Sequence, residues 1–439
     1  MKNILEDIRK YIRDKEQERT WVAGKDFVNY AGPYFSEDEY VAAAETLLNG
    51  WLVMGNKSLQ FERKFPSYFG KKHGVLTNSG SSSNLLMMAS LTSKRGYNFP
   101  KGTKVLMPIA GFPTTLNPTL QVGFTPVFVD IELDTLNLDL DQVEKALEAD
   151  PEIRVITFAH VLGNPPNMDK LMALVEKHNL VLLEDCCDAL GSTYDSKPLG
   201  SFGEMVSCSF YPAHHMTMGE GGFVACNTDA QEVIVRSFRE WGRGCYCVGP
   251  EANKLKCGTC KARFSNWIPT MPDEIFDHKY VYDEIGYNLK PIEIQSAMGL
   301  EQLKKLGEIH ALRRRNYRML FEIYSKYEEY FYLPRAQDKS DPSWFAFPLT
   351  IRDGAPFTRT QIVDFLEDNL IQTRPYFAGN IMLQPAYSHI MDPEDAKNNF
   401  PNATKTMTDT FFHGTSPVIT TEQIQYIGSV VDKFMNGLK

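Results

Sequence analysis

From Lys71 onward, short apolar runs alternate with amphipathic stretches along the chain. The runs GVLTN, KVLMP, TPVFVD, RVITFAH, LVLLED, VSCSF and GFVACN predict strands, and Asn84 to Leu91 and Lys170 to Glu176 predict parts of connecting helices. Strands that alternate with helices imply an α/β fold with a mostly parallel seven-stranded sheet and helices on both faces. Such sheets place ligands beyond the carboxyl ends of their strands. Ser79, His160, Asp185 and the loop after Phe210 fall at those ends. The segment from Arg243 to Tyr280 breaks the pattern: it is rich in Gly, Cys, Lys and Pro, has no clear period, and reads as a long inserted loop. After GYNLKPIEIQSAMGLEQL, a long helical pattern leads into a smaller α+β domain with WFAFPLTI and a helix near Thr360 to Asn369. At the start, Ile4, Leu5, Ile8, Tyr11 and Ile12 share one helical face and predict an amphipathic helix. The expected division is a helical extension over 1–25, a large domain over 26–290 with the insertion at 243–280, and a connecting helix and small domain over 291–439.

Composition narrows the class. The chain has 439 residues, 43% of them apolar and 23% charged, as in an ordinary soluble enzyme of two domains. A net charge of −9 argues against a broad nucleic-acid surface and gives no sign of an anionic-membrane partner. No apolar run reaches membrane-spanning length, and the charged N-terminus has no signal-peptide core, so a cytoplasmic location is expected. Eight cysteines in such a setting do not suggest a disulfide framework.

Three segments carry chemistry. Asn78-Ser79-Gly80-Ser81-Ser82 follows a strand and opens a helix, where backbone N–H groups and hydroxyls suit a phosphate dianion. Asp185 closes the run LVLLED, a position open to a helix cap or a ligand contact. The third segment, Ser209 to Gly222, reads SFYPAHHMTMGEGG. It resembles the S-F-x-x-x-K-x-x-T-x-G-E-G-G signature of the DegT/DnrJ/EryC-type sugar aminotransferases of the aspartate-aminotransferase superfamily. That resemblance implies the type I fold of pyridoxal-phosphate enzymes. The family's lysine lies five residues before Gly-Glu-Gly-Gly, and His214 stands there instead. Lysine bonds covalently to the cofactor aldehyde; imidazole cannot, although it can move protons near neutral pH. Across this resemblance, Gly80, Ser81, Ser82 and Ser209 match phosphate contacts, Phe112 the aromatic stacked on the ring, and Asp185 the partner of the ring nitrogen. Asp185 and His214 are 29 positions apart, the family's spacing. Asn288 in GYNLK matches an asparagine that reaches the phosphate in the partner subunit, which implies a homodimer. His160 and Arg374 also lie in family motifs.

Histidine in place of lysine marks two groups of this family, both of which remove the 3-hydroxyl of a nucleotide-linked 4-keto-6-deoxyhexose. The chain resembles the group that acts on CDP-4-keto-6-deoxy-D-glucose and carries a 2Fe-2S cluster. Cys187 and Cys245 enclose 57 residues and Cys247 follows one residue later, which is that group's spacing. Cys260 directly precedes Lys261-Ala262-Arg263-Phe264 and matches the fourth ligand, with Cys257 as the alternative. By spacing alone, Cys245-x-Cys247 beside Cys257-x-x-Cys260 also reads as a zinc knuckle. The resemblance implies pyridoxamine 5′-phosphate held non-covalently, His214 as the base, and electrons from a separate NADH-dependent flavin/iron-sulfur reductase. An ordinary aminotransferase would need a lysine near position 214, and none occurs between Lys197 and Lys254. A cluster-free dehydratase and a non-catalytic binding module remain the other readings.

Overall fold

The computed structural model describes residues 1–18, 20–245, 247–249, 252 and 254–438. Seven strands form the central sheet: β1 His73–Thr77, β2 Lys104–Pro108, β3 Thr125–Val129, β4 Ile153–Ala159, β5 Val181–Asp185, β6 Met205–Ser209 and β7 Gly222–Cys226. Each falls on one of the seven apolar runs. Their order is β1-β7-β6-β5-β4-β2-β3, with β7 antiparallel to both neighbours and the other pairs parallel. No helix lies between β6 and β7, so the chain turns back through a loop instead of crossing over. That loop carries His214.

Alternate residues of every central strand serve two separate cores. Val75, Val105, Val155, Leu183 and Val224 pack with helix Gly80–Ser90 and helix Asp229–Arg239. Leu76, Leu106, Ile156, Leu182 and Phe223 pack on the other face with helices Leu140–Ala149 and Met168–His178. Burying one such side chain contributes about 1.5–3 kcal/mol, so the two-sided sheet is a stiff platform for its strand ends.

The small domain is a four-stranded antiparallel sheet, Phe331–Tyr332, Ala346–Ile351, Thr410–Gly414 and Arg374–Pro375 in that order, backed by helices Arg359–Asp368 and Thr421–Asn436. At the start of the large domain the limit differs from that expected, and at its end the helices after position 291 bridge the two cores. Val28 lies in the small domain's core, where its N–H donates to the Leu370 carbonyl at 2.8 Å, although it was placed in the large domain. Leu300 and Leu306 still pack on the large core, so the change of domain comes inside helix Leu306–Tyr324, whose far end is in the small core. Apolar contact, not sequence order, decides both cases.

Helix Lys2–Gln17 is tied to helix Glu37–Leu48 by Arg9–Asp38 at 2.6 Å and Arg13–Glu37 at 2.7 Å. Within the insertion, Phe264–Ser265 pairs with Phe276–Asp277, and Trp267 stacks on His278 at 3.7 Å. Among the described residues, no helix is long and apolar enough to cross a membrane.

Candidate active site

A cavity of about 300 Å³ opens at the carboxyl ends of β5 and β6, beside the N-terminus of helix Gly80–Ser90. Gly80, Ser81, Asp185, Ser209, Phe112 and His214 all line it, so the structure brings together residues from four separate stretches of the sequence. Ser82 is different. Its Oγ donates to Asn78 Oδ1 at 2.6 Å and its N–H to the Ser79 capping oxygen at 3.1 Å, so this hydroxyl braces the turn and does not line the cavity. Close packing explains two glycines. A Cβ on Gly80 would stand 2.5 Å from Ser209 Cβ, and one on Gly222 would stand 2.2 Å from the Ser79 carbonyl oxygen. Bare backbone there lets β1, β6 and β7 close around a phosphate-sized space with free N–H groups.

Asp185 is buried and already oriented: Asn84 Nδ2 donates to one oxygen at 2.7 Å and the Cys187 N–H to the other at 2.9 Å. Phe112 lines the cavity, is 52% exposed and makes a T-shaped contact with Phe377 at 5.9 Å. A phosphate cradle, a carboxylate and an exposed aromatic ring fit the three parts of a pyridoxamine phosphate: phosphate, ring nitrogen and ring plane. Arg374 lines the same cavity and rests on the Tyr30 ring at 4.2 Å. His160 does not reach it. Its buried Nε2 is engaged by Glu184 at 2.8 Å, and that carboxylate also accepts N–H groups of Gly200, Phe202 and Gly203.

His214 sits in the loop between β6 and β7, its Nδ1 3.3 Å from Asp188 Oδ1. The approach is close but off hydrogen-bond alignment, and Nδ1 is buried with no aligned partner among the described residues. Contacts of this kind often tighten when a site fills. Two residues that the sequence reading did not single out hold this histidine. Asp188 faces its ring. Arg313, fully buried, donates to the carbonyls of Ala213 at 3.1 Å and His214 at 2.9 Å, and to that of Phe345 at 3.0 Å. Burial without a paired carboxylate pushes the Arg313 guanidinium down to about 9. His215 points the other way: it is buried against the Ser343 carbonyl at 2.6 Å, and burial holds it far below its ordinary value, neutral and structural.

The cysteines fall in two places. Cys187 lines the cofactor cavity, where a Cβ on Gly80 would meet its sulfur at 3.0 Å. Cys245 and Cys247 line a second cavity of about 460 Å³ together with Asn288 and Lys290. Burial pushes the Cys245 thiol up to about 11. For Cys247, burial also opposes ionisation, but hydrogen bonds from Thr259 and Cys260 outweigh it and bring the thiol to about 7. Both Cys245 and Cys260 hydrogen-bond Cys247, whereas Cys257 is exposed. Among the described residues, the one trio of metal-capable side chains within 4.8 Å of one another is His73, Asp229 and Glu232. No three of the expected Cys187, Cys245, Cys247 and Cys260 gather in this way, and Cys187 lines a different cavity from Cys245 and Cys247. Asn288 likewise lies outside the cofactor cavity of its own chain, with Oδ1 accepting from Lys290 Nζ at 2.8 Å.

Residues 33–432 match the DegT/DnrJ/EryC1/StrS aminotransferase family. The chain belongs to that family. It is 40% identical over 98% of its length to dTDP-4-dehydro-2,6-dideoxy-D-glucose 3-dehydratase of Saccharopolyspora spinosa, 91% of which is covered. It is 39% identical over 98% of its length to the lipopolysaccharide biosynthesis protein RfbH of Salmonella typhimurium, 97% of which is covered. Among solved structures it resembles the Escherichia coli GDP-4-keto-6-deoxy-D-mannose-3-dehydratase with bound hydrated PLP. That likeness has a TM-score of 0.80 and 28% identity, covering 92% of this chain and 99% of the other. The architecture is thus that of the type I pyridoxal-phosphate aminotransferases.

Proposed function

We propose that this chain is a 3-dehydrase that removes the 3-hydroxyl of a CDP-linked 4-keto-6-deoxyhexose, using pyridoxamine 5′-phosphate, a 2Fe-2S cluster and a separate NADH-dependent reductase. The observation that carries this reading is His214 on the cavity wall where the family's lysine would be. Relatives that are 3-dehydratases for dTDP- and GDP-linked sugars support the reaction class. When bound, the cofactor supplies an amine for the 4-keto group and a ring that draws electrons from the neighbouring carbon.

The chain's own residues do the rest. Gly80, Ser81 and Ser209 hold the phosphate at the helix N-terminus. Asp185, fixed by Asn84, keeps the ring nitrogen protonated, which deepens its pull on electrons. Phe112 covers the ring. His214 would act as the base through Nε2, the ring nitrogen not facing Asp188, and Asp188, 3.3 Å from Nδ1, would stabilise the resulting imidazolium. The proton taken up by His214 would pass to the leaving 3-hydroxyl, which would depart as water and leave the histidine neutral again. Cys187, Cys245, Cys247 and Cys260 would be the thiolates to hold the cluster, which would supply electrons one at a time, although within one chain Cys187 lines a different cavity from Cys245 and Cys247.

His214→Lys tests the reading. Incubated with pyridoxal phosphate and reduced with borohydride, the variant should gain the mass of one covalent cofactor, while the wild type should gain none. Covalent labelling of the wild type at another lysine, or unchanged 3-dehydration by the variant, would overturn the assignment of His214.

A further inference from the structure

His214 is fastened by its backbone. Residues 210–221, between β6 and β7, form no helix or strand, and the buried Nδ1 of His214 has no aligned hydrogen bond among the described residues. The place of the imidazole therefore depends on what holds residues 213–215. Two grips do so, and both reach the same short segment. Arg313 Nη2 donates to the carbonyls of Ala213 at 3.1 Å and His214 at 2.9 Å, while Nη1 donates to those of Phe345 at 3.0 Å and Trp344 at 3.4 Å. His215 Nε2 donates to the Ser343 carbonyl at 2.6 Å.

The segment Ser343–Phe345 leads straight into strand Ala346–Ile351 of the small domain. It is held from both domains. The Ser343 N–H donates to Ser192 Oγ at 2.8 Å and the Phe345 N–H to the Leu162 carbonyl at 2.8 Å, both on the large domain; Thr415, just after strand Thr410–Gly414, donates to the Trp344 carbonyl at 2.5 Å. Arg313 itself stands on helix Leu306–Tyr324, which passes from one core to the other. A guanidinium suits this junction. Its two outer nitrogens lie apart in one plane and can bridge two backbone segments, whereas a lysine ammonium offers its donors from a single point. Stability alone does not call for the arrangement: a fully buried cation facing carbonyls, with no paired carboxylate, costs free energy that an apolar side chain of similar size would not.

We propose that Arg313 is the positioning residue for His214: it locks the loop between β6 and β7 to Ser343–Phe345, so that His214 faces the cavity only while the two domains are seated together. The proposal rests on His214 as the reacting side chain named under the proposed function. Phe345 lines the same cavity, with its ring 5.3 Å from that of His214, so the segment that Arg313 grips is also a wall of the site. A shift of the small domain would move Ser343–Phe345 and, through Arg313, the backbone of His214 with it.

Three substitutions test this. Arg313→Lys keeps the charge and removes the bridge, Arg313→Met keeps the bulk and removes both, and Arg314→Lys, at the next position and paired with Asp341, is the control. Each is placed in the His214→Lys chain, and the rate of covalent trapping of pyridoxal phosphate by borohydride is measured at saturating cofactor. Cofactor affinity and melting temperature are measured for the same changes in the otherwise wild-type chain. A reacting group misplaced by about 1 Å can lose about 100-fold in rate, so trapping in Arg313→Lys should slow by about tenfold or more with cofactor affinity held. The control should trap at the full rate. Hydrogen exchange read by mass spectrometry reports the link without any reaction: in both Arg313 variants of the otherwise wild-type chain, segments 211–217 and 343–347 should lose protection together while β4 keeps its own. An unchanged trapping rate, or protection lost in one segment alone, would overturn the proposal. Trapping that falls only in proportion to cofactor affinity would overturn the positioning role and leave Arg313 a structural part. A His214→Lys chain that takes no label at all would overturn the proposed function, and the exchange measurement would then decide the link alone.

Discussion

Replacing Asp188 by asparagine isolates the carboxylate behind His214. The two side chains are largely buried, and the nitrogen and oxygen are 3.3 Å apart. Asparagine keeps the shape and removes the charge that steadies the imidazolium once His214 has taken its proton. Two unit charges about 4 Å apart attract by about 4 kcal/mol at an effective dielectric constant of about 20. A hydrogen bond to a charged group contributes about 1.5–3 kcal/mol net. The misaligned contact favours the smaller range, so the proton-transfer barrier should rise by about 1.5–3 kcal/mol, a loss of about 10- to 150-fold in kcat. Cofactor affinity should hold, because the phosphate cradle is built from other elements. The assay is single-turnover loss of the 3-hydroxyl with saturating cofactor, with KM and thermal stability measured alongside. A rate within about twofold of the wild type, well below the smallest expected loss, would refute the role given to Asp188. A large loss confined to KM would refute it as well.

Other outcomes follow from the same geometry. In reduced, metal-free protein, alkylation of Cys247 should rise with a midpoint near pH 7 and that of Cys245 only near pH 11; peptide mass mapping that finds one shared midpoint would contradict the hydrogen bonds given to Cys247. Burial opposes the charge on Glu184, but His160 and the backbone N–H groups of Gly203 and Gly200 outweigh it and hold its carboxyl below the ordinary value. That stabilisation is complete above the unfolded-state pKa, about 4.3, and is lost as the pH falls through the folded value. Glu184→Gln should therefore cost about 3–5 kcal/mol at neutral pH, with the gap in thermal melts closing in acid, and a constant gap would count against the charge. Gly80→Ala should weaken cofactor binding by about tenfold or more, a cost of about 1.4 kcal/mol. The added Cβ would stand 2.5 Å from Ser209 Cβ, and an unchanged affinity in equilibrium dialysis would refute the cost assigned to that clash.

The sheet was legible because its inner strands are buried on both faces and read as short apolar runs, as in VLLED. The antiparallel β7 is not visible in that pattern, since strand direction depends on the connection. At the site, Gly80, Ser81, Phe112, Asp185, Ser209 and His214 converge on one cavity. Ser82 was misread because a capping hydroxyl and a phosphate-binding hydroxyl look alike in a Ser-rich turn. Arg313 was passed over for a different reason: within LRRRN it reads as one of three charges on a solvated helix, yet it is buried and grips the backbone of His214. Asp188 lies 26 positions before His214 and meets it only through the fold. The separation of Cys187 from the other thiols was equally hidden, because spacing along a chain says nothing about which cavity a side chain enters.

The most direct test of the central claim is the mass of the product. The wild type, reconstituted anaerobically with pyridoxamine phosphate and given a one-electron reductant, is incubated with a 4-keto-6-deoxyhexose linked to CDP, dTDP or GDP, and the sugar nucleotides are analysed by mass spectrometry. The account predicts a product lighter by one oxygen, still a ketone at C4, with the CDP sugar turned over best, and no such product from His214→Lys. An amino sugar formed at C4, with the 3-hydroxyl retained, would contradict it.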